Sequence, residues 1–282
     1  MELVVRGLTV ADLEVADAIY QVSYRSAESR KAEMRRYLAL PASCWLLALV
    51  QGEPVGMVGA VSYGRFASLG LMGVRPEAQR RGVGRALMAR VLEWADGTGT
   101  PTVILDATEE GAPLYASCGF VAGDRALLLR RDEPAAPGAP PAAVRPLEGG
   151  ALAAVVEFDA RYFGAAREAV LRQLLAEFPG RAFICSDAAG AVTGYLIAQG
   201  RRLGPWVARG AAEAEGLLRA ALSLTFAAPP TVILPESNAA AHALVSRHGF
   251  RLVRTCAHMW RGASPAYRRR DSIYGQESFA LG

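Results

Sequence analysis

Lysine is almost missing from this chain: Lys31 is the only one among 282 residues, and arginine supplies the rest of the positive charge. With a net charge of +4 and abundant alanine, this is what arginine-rich codon usage produces. A nucleic-acid surface needs a basic stripe with interleaved aromatics. The basic runs Arg30-Lys31 with Arg35-Arg36, and Arg268-Arg269-Arg270, are short and read as solvated faces. No nucleic-acid partner is expected. Cysteine is sparse too. Cys44, Cys118, Cys185 and Cys256 lie far apart with no C-x-x-C pair, which excludes a zinc site or a disulfide framework of the usual kind. Free thiols and no metal are expected. The three histidines, His242, His248 and His258, all fall in the second half and read as structural. No apolar run approaches the ~18 residues of a membrane span. The start, Met1 to Arg6, lacks the basic and apolar regions of a signal peptide, so a cytoplasmic protein is expected. The 52% hydrophobic content is that of a folded globular chain.

Proline is concentrated where the chain divides. Residues 131 to 143 read Arg-Asp-Glu-Pro-Ala-Ala-Pro-Gly-Ala-Pro-Pro-Ala-Ala, which sustains neither a helix nor a central strand. The halves on either side repeat one pattern. Val5-Arg6-Gly7-Leu8 answers to Val144-Arg145-Pro146-Leu147, and Thr102-Val103-Ile104-Leu105 to Thr231-Val232-Ile233-Leu234. A helical stretch and a Gly-Phe pair follow each time, Gly119-Phe120 and Gly249-Phe250. The expected organisation is a domain at 1-131, a linker at 132-143 and a related domain at 144-282.

Strands and helices alternate within each half. In the first, periodicity predicts helices from about Val10 and over Ala27 to Leu38. Strands follow at Trp45 to Val50, Val55 to Ser62 and Ala67 to Val74, then a helix from Gly84 to Ala95 and the strand Thr102 to Leu105. The second half repeats the order: helices at Leu152–Phe158 and Glu168–Phe178, then strands at Ala182–Ser186, Val192–Gln199 and Leu203–Ala208. This is an α/β fold (α+β by some schemes) with mixed sheets flanked by helices.

The segment from Gly73 to Leu87 is the richest in chemistry. A strand ends near Val74, and the loop Gln79-Arg80-Arg81-Gly82-Val83-Gly84 feeds a helix. Helix N-termini offer unpaired N–H groups and partial positive charge to phosphates. Gly82 and Gly84 let a pyrophosphate approach the backbone, while Gln79, Arg80, Arg81 and Arg85 add donors at the mouth. A dinucleotide fingerprint would need a third glycine, where Leu87 stands, and a P-loop would need G-K-[ST]. The alternative is a basic helix start with a tight turn and no ligand.

These residues resemble the GNAT superfamily of N-acetyltransferases, whose coenzyme A motif is Q/R-x-x-G-x-G/A. The preceding Val74-Arg75-Pro76 is also typical, as are Leu105-Asp106-Ala107-Thr108, Gly111, Pro113-Leu114-Tyr115 and Gly119-Phe120 downstream. The resemblance covers most of the first half, and the second half is similar to the degenerate C-terminal domain of tandem GNAT proteins. It implies two GNAT-like domains, each with a mixed, mostly antiparallel twisted sheet. It also implies direct transfer of an acetyl group from acetyl-CoA, with coenzyme A as co-substrate, to an amine of a small molecule or peptide. Met72, Gly73 and Val74 would pair with the pantetheine arm, with a backbone N–H such as that of Met72 holding the thioester carbonyl. Gln79, Arg80, Arg81, Gly82, Val83, Gly84 and Arg85 would hold the pyrophosphate. Tyr115 would serve as general acid for the leaving thiolate. The strand before the phosphate loop carries no acidic residue for a base; Asp106 and a water chain are the candidates, and Asp106 also reads as an anchor for local turns.

The second half departs from the motif. An offset of 134 sets Glu213, Ala214 and Glu215 against Gln79, Arg80 and Arg81, with Leu218 at Gly84 and Trp206 at Met72. Counting from the Gly-Phe pair puts Val245 at Tyr115. This half is expected to keep the fold without the chemistry. Mycothiol synthase, another two-domain GNAT, carries its active motifs in the opposite half. A non-catalytic acyl-CoA sensor is the other alternative. A monomer or homodimer without membrane attachment is expected.

Overall fold

The computed structural model describes residues 2–133, 143–266 and 268–282. The proline-rich core of the expected linker, 134–142, lies outside the described residues. Two compact units result, and neither is a single continuous stretch. The first holds residues up to Ala122 together with Met259–Ser264 and Phe279–Leu281; the second holds Gly123–His258, Pro265–Ser278 and Gly282.

The first unit begins with β1 (Leu3–Gly7), α1 (Leu13–Tyr24) and α2 (Lys31–Leu38). It continues through β2 (Ser43–Val50), β3 (Glu53–Ser62) and β4 (Ala67–Val74), then α3 (Val83–Gly97), β5 (Thr102–Ala107) and α4 (Ala112–Ser117). A 3-10 turn at Val10–Asp12 precedes α1, so that helix starts later than its apolar periodicity suggests. There the Thr9 N–H donates to Asp12 Oδ2 at 2.8 Å, closing a capping box. Strands β2 and β3 join through Gln51 and Gly52, both at positive φ, as a tight hairpin requires. The sheet runs β1-β2-β3-β4-β5, antiparallel except for the parallel pair β4 and β5. Leu87, Met88 and Val91 on one stripe of α3, and Ala16 and Ile19 on α1, are fully buried with Leu47, Ala48 and Val58 of the sheet.

The second unit takes β6 (Val121–Arg130) from Gly123 onward, then β7 (Val144–Pro146), α5 (Leu152–Phe163) and α6 (Glu168–Glu177). It continues with β8 (Ala182–Ser186), β9 (Val192–Ala198), β10 (Leu203–Ala208), α7 (Ala211–Leu222), β11 (Thr231–Pro235), α8 (Ala239–Arg247), β12 (Arg251–Gly262) and β13 (Ile273–Gly275). One sheet here runs β13-β10-β9-β8-β7, and β6 pairs antiparallel with β11 from Arg130 opposite Thr231 to Ala126 opposite Pro235. Sequence patterning marks neither β6 nor β12. Each half therefore contributes to the other unit: Gly123–Arg130 builds the second, while Met259–Gly262 of β12 belongs to the first. There the Thr102 hydroxyl donates to the Ala263 carbonyl at 2.8 Å.

Candidate active site

In the first unit the parallel ladder of β4 and β5 runs from Ala67 opposite Val103 to Leu69 opposite Leu105. Beyond that pair β4 continues to Val74 and β5 to Ala107, which leaves Met72, Gly73 and Val74 on the part of β4 past the ladder. A bulge sits at this point. Gly70 pairs with Gly59 and Gly73 with Met57, so Leu71 and Met72 together oppose Val58. Leu71 takes φ +52°, a left-handed conformation that is costly for a bulky side chain. On the helix side, the Tyr24 hydroxyl at the end of α1 donates to the Met72 carbonyl at 2.9 Å.

After β4 the loop is tied down from its start. The Arg75 N–H donates to the Val55 carbonyl at 2.8 Å and its Nε to Pro54 at 3.1 Å, and a 3-10 turn at Pro76–Ala78 buries Ala78. Gln79 is exposed, and its amide donates to the Val74 carbonyl at 3.0 Å. Arg80 at φ +58° and Gly82 at φ +85° then turn the chain into α3, with Gly82 as its N-cap. No side chain caps this helix and its first turn carries no acid, so its leading N–H groups are presented to the loop. Arg80, Arg81 and Arg85 stand exposed around it. Val83 points the other way: its side chain is buried near Gly56 of β3, so it offers the site its backbone only.

Gly84 marks where the elements converge. A Cβ added there would stand 3.1 Å from Leu114 Cδ2, 3.6 Å from Met72 Cε and 4.0 Å from Val74 Cγ2. The α3 start, the bulged strand and α4 therefore meet at one point. Tyr115, beside Leu114 on α4, is buried and packs edge-on to Phe120 with 6.0 Å between ring centroids. Asp106 is half-buried on β5, one residue past the last ladder pair. The structure thus brings Met72, Val74, Gly84 and the Tyr115 helix together, leaves the arginines exposed around the α3 start, and places Asp106 one residue beyond the last β4–β5 pair. Tyr24 is a polar contact to the same strand that sequence reading missed. Its only sequence signal is a hydroxyl at the end of an amphipathic helix.

The second unit corrects one correspondence. A constant offset of 134 carries Gln79–Gly84 onto Glu213–Leu218, yet α7 begins at Ala211, directly after Arg209 and Gly210. Glu213, Glu215 and Gly216 therefore lie inside a helix, and Leu218 is a fully buried core residue. The loop that runs from Arg75 to Gly82 in the first unit has no equivalent here. The defect is a missing loop rather than repelling carboxylates within one. The counting of Val245 onto Tyr115 holds up locally: Phe120 N–H donates to the Tyr115 carbonyl at 3.1 Å, and Phe250 N–H to that of Val245 at 3.1 Å.

Two mostly antiparallel sheets flanked by helices, the first with the parallel pair β4–β5 and a glycine-led helix N-terminus after β4, define the acetyltransferase class of fold. The acetyltransferase (GNAT) family model matches residues 13–120, and an acetyltransferase (GNAT) domain model matches residues 155–275. The chain belongs to the GNAT family and is a tandem protein with one such domain in each half. It is 28% identical to a candidate acetyltransferase of Pyrococcus horikoshii of known structure, with a TM-score of 0.87 over 99% of this chain and 96% of that one. A tandem GNAT protein from the clavulanic acid biosynthesis pathway shares the fold, at 20% identity and a TM-score of 0.64 over 94% of this chain and 99% of that one. The uncharacterized N-acetyltransferase YitH of Bacillus subtilis (strain 168) is 37% identical over 71 residues, a match spanning 25% of this chain and 24% of that protein. Family membership implies acyl transfer from an acyl-CoA to an amine, with acetyl-CoA as the family's co-substrate. Among the described residues no helix is long and apolar enough to cross a membrane, and no group of His, Cys, Asp and Glu is placed to hold a metal.

Proposed function

We propose that this protein is an N-acetyltransferase that carries an acetyl group from acetyl-CoA to a primary amine of a small molecule or peptide, at one site within the first domain. The observation that carries this reading is the convergence at Gly84 of the bulged strand, the uncapped start of α3 and the Tyr115 helix. The pyrophosphate lies on the N–H groups from Arg80 to Gly84, flanked by Gln79, Arg81 and Arg85. The pantetheine arm extends along Met72, Gly73 and Val74, taking the place of a strand beyond the β4–β5 ladder. The Met72 N–H receives the thioester oxygen as negative charge develops on it, an interaction typically worth ~3 kcal/mol in the transition state.

The amine, once deprotonated, attacks the thioester carbon. The C–N bond forms, the tetrahedral intermediate collapses, and the C–S bond breaks. Tyr115 donates a hydrogen bond to the sulfur as charge develops on it and passes its proton in step with C–S cleavage. With a thiol pKa of ~8.5 against ~10 for tyrosine the transfer is not downhill by itself, and the tyrosinate recovers a proton from the newly acylated nitrogen, which must lose one. Asp106, one residue beyond the last β4–β5 pair, is the candidate base for the incoming ammonium. In the catalytic first domain and the chemically silent second, the domain order 1-131, linker 132-143 and 144-282 describes the chain's division of labour, although strands are exchanged at its edges. Release of free thiol from acetyl-CoA with a panel of amines tests the reading. A chain that binds coenzyme A and releases no thiol with any amine class would instead be a sensor.

A further inference from the structure

We propose that Tyr24 is a positioning residue for the acyl group: its hydroxyl holds the Met72 carbonyl, in the peptide next to the one that carries the Met72 N–H, so that the bulged part of β4 keeps the conformation that presents that N–H to the thioester. This rests on the assignment of that N–H as the oxyanion donor. The structural problem is plain. Past Leu69 the strand loses its β5 ladder, and at Leu71 it adopts a left-handed conformation that a leucine resists. A strand in that state needs an outside hold. The Tyr24 hydroxyl supplies one, donating to the Met72 carbonyl at 2.9 Å from a helix packed on the strand.

The contact is not an accident of burial. Tyr24 is a partly buried residue rather than a member of the buried core, so its place is not set by burial alone. Its ring is fixed independently, stacked on Tyr20 with centroids 4.6 Å apart. Tyr20 in turn accepts from Arg30 Nε at 3.3 Å, with the guanidinium 5.6 Å from the Tyr20 ring centre. The hydroxyl is thus aimed by a rigid stack rather than left to wander.

The second unit provides an internal control. Helices α1 and α5 correspond position by position: each follows a 3-10 turn, spans 12 residues and ends in a left-handed residue, Arg25 or Gly164. The residue in the place of Tyr24 is then Phe163, by the same offset that relates the helix starts (152 − 13 = 139 and 163 − 24 = 139). The ring is kept and the hydroxyl is gone. It is gone in the unit that also lacks the phosphate loop and has Trp206 aligned with Met72. A tyrosine needed only for packing would have no reason to lose its oxygen together with the cofactor machinery.

The test compares Tyr24→Phe, which removes only the hydroxyl, with Tyr24→Leu, which also removes the stack. Three quantities are read: coenzyme A affinity by calorimetry, thiol release from acetyl-CoA, and the infrared carbonyl stretch of bound [1-13C]acetyl-CoA. The expected result for Tyr24→Phe is a melting temperature lower by no more than a few degrees, coenzyme A affinity within about twofold, and kcat lower by roughly 3–10-fold at steady KM, the range of one hydrogen bond. The thioester stretch, lowered on binding to the wild type, moves back toward its free value. If Tyr24→Phe matches the wild type in kcat and in the carbonyl band, while Tyr24→Leu loses stability and activity together, the residue is a packing element and the proposal is overturned. Failure of the wild type itself to bind coenzyme A is a different outcome, and it overturns the acetyltransferase site on which the proposal rests.

Discussion

Replacing Gly82 by glutamate probes the cofactor site with little disturbance of packing. The residue is the N-cap of α3 at φ +85°, and no atom lies within 4 Å of an added Cβ, so a side chain has room. The left-handed backbone costs an L-residue about 1–2 kcal/mol. A carboxylate at the helix N-terminus returns about 0.3–1 kcal/mol of that in the empty protein. The net loss of stability is then on the order of 1 kcal/mol, a fall of ~2–4 °C in melting temperature for a chain of this size. Bound coenzyme A changes the balance. A carboxylate about 4 Å from a phosphate is repelled by about 1 kcal/mol in water and about 4 kcal/mol at the effective dielectric of a protein surface. The site is open, so a total of ~2–4 kcal/mol over the two phosphates is reasonable, a loss of affinity on the order of 30- to 1,000-fold. Titration calorimetry with coenzyme A measures it, and raising the salt should recover part of the loss through screening. Gly82→Ala carries the backbone strain without the charge and should cost no more than about tenfold. A folded Gly82→Glu protein that binds coenzyme A as tightly as the wild type would refute the phosphate cradle. Gly84→Glu is a blunter probe, because its Cβ already meets Leu114 at 3.1 Å and packing would be disturbed as well.

Tyr115→Phe is expected to lower kcat by ~10²–10⁴, as loss of a general acid does, with coenzyme A affinity within a few-fold; turnover close to that of the wild type would make Tyr115 a packing residue. Calorimetry of the intact chain should give one coenzyme A per chain, since the second unit has two residues, Arg209 and Gly210, where the first has its phosphate loop. A second binding event that survives Gly82→Glu would show that the second domain is not silent. In that domain Asp159→Ala should destabilise the protein by ~3–5 kcal/mol in denaturant unfolding. It strands the fully buried Arg167, whose guanidinium donates to both Asp159 oxygens at 2.8 and 2.9 Å. A loss below about 1 kcal/mol would mean that water or another group takes over from the carboxylate.

What the sequence determined by itself was local. The apolar period along α1, α3 and β2 to β5 is set by which faces must leave water, so element type and order were legible without a partner in view. The glycine-led start of α3 was legible for the same reason, because a helix N-terminus carries its own donors and charge wherever it lies. The match of Thr102–Leu105 with Thr231–Leu234 likewise announced two related domains. Tertiary structure decided everything that depends on a remote neighbour. Strands β6 and β12 have no clean alternation to announce them, and their pairing across the two halves of the chain is a choice among distant edges that no window of sequence contains. A fixed offset missed the shortened connection before α7, since a deleted loop leaves no residue behind to read. The bulge at Leu71 arises only when β4 pairs with β3, and the Tyr24 hydroxyl reaches Met72 only when α1 packs on β4. That contact joins residues 48 positions apart in sequence, and it exists because burying the stripe of α1 brings them together.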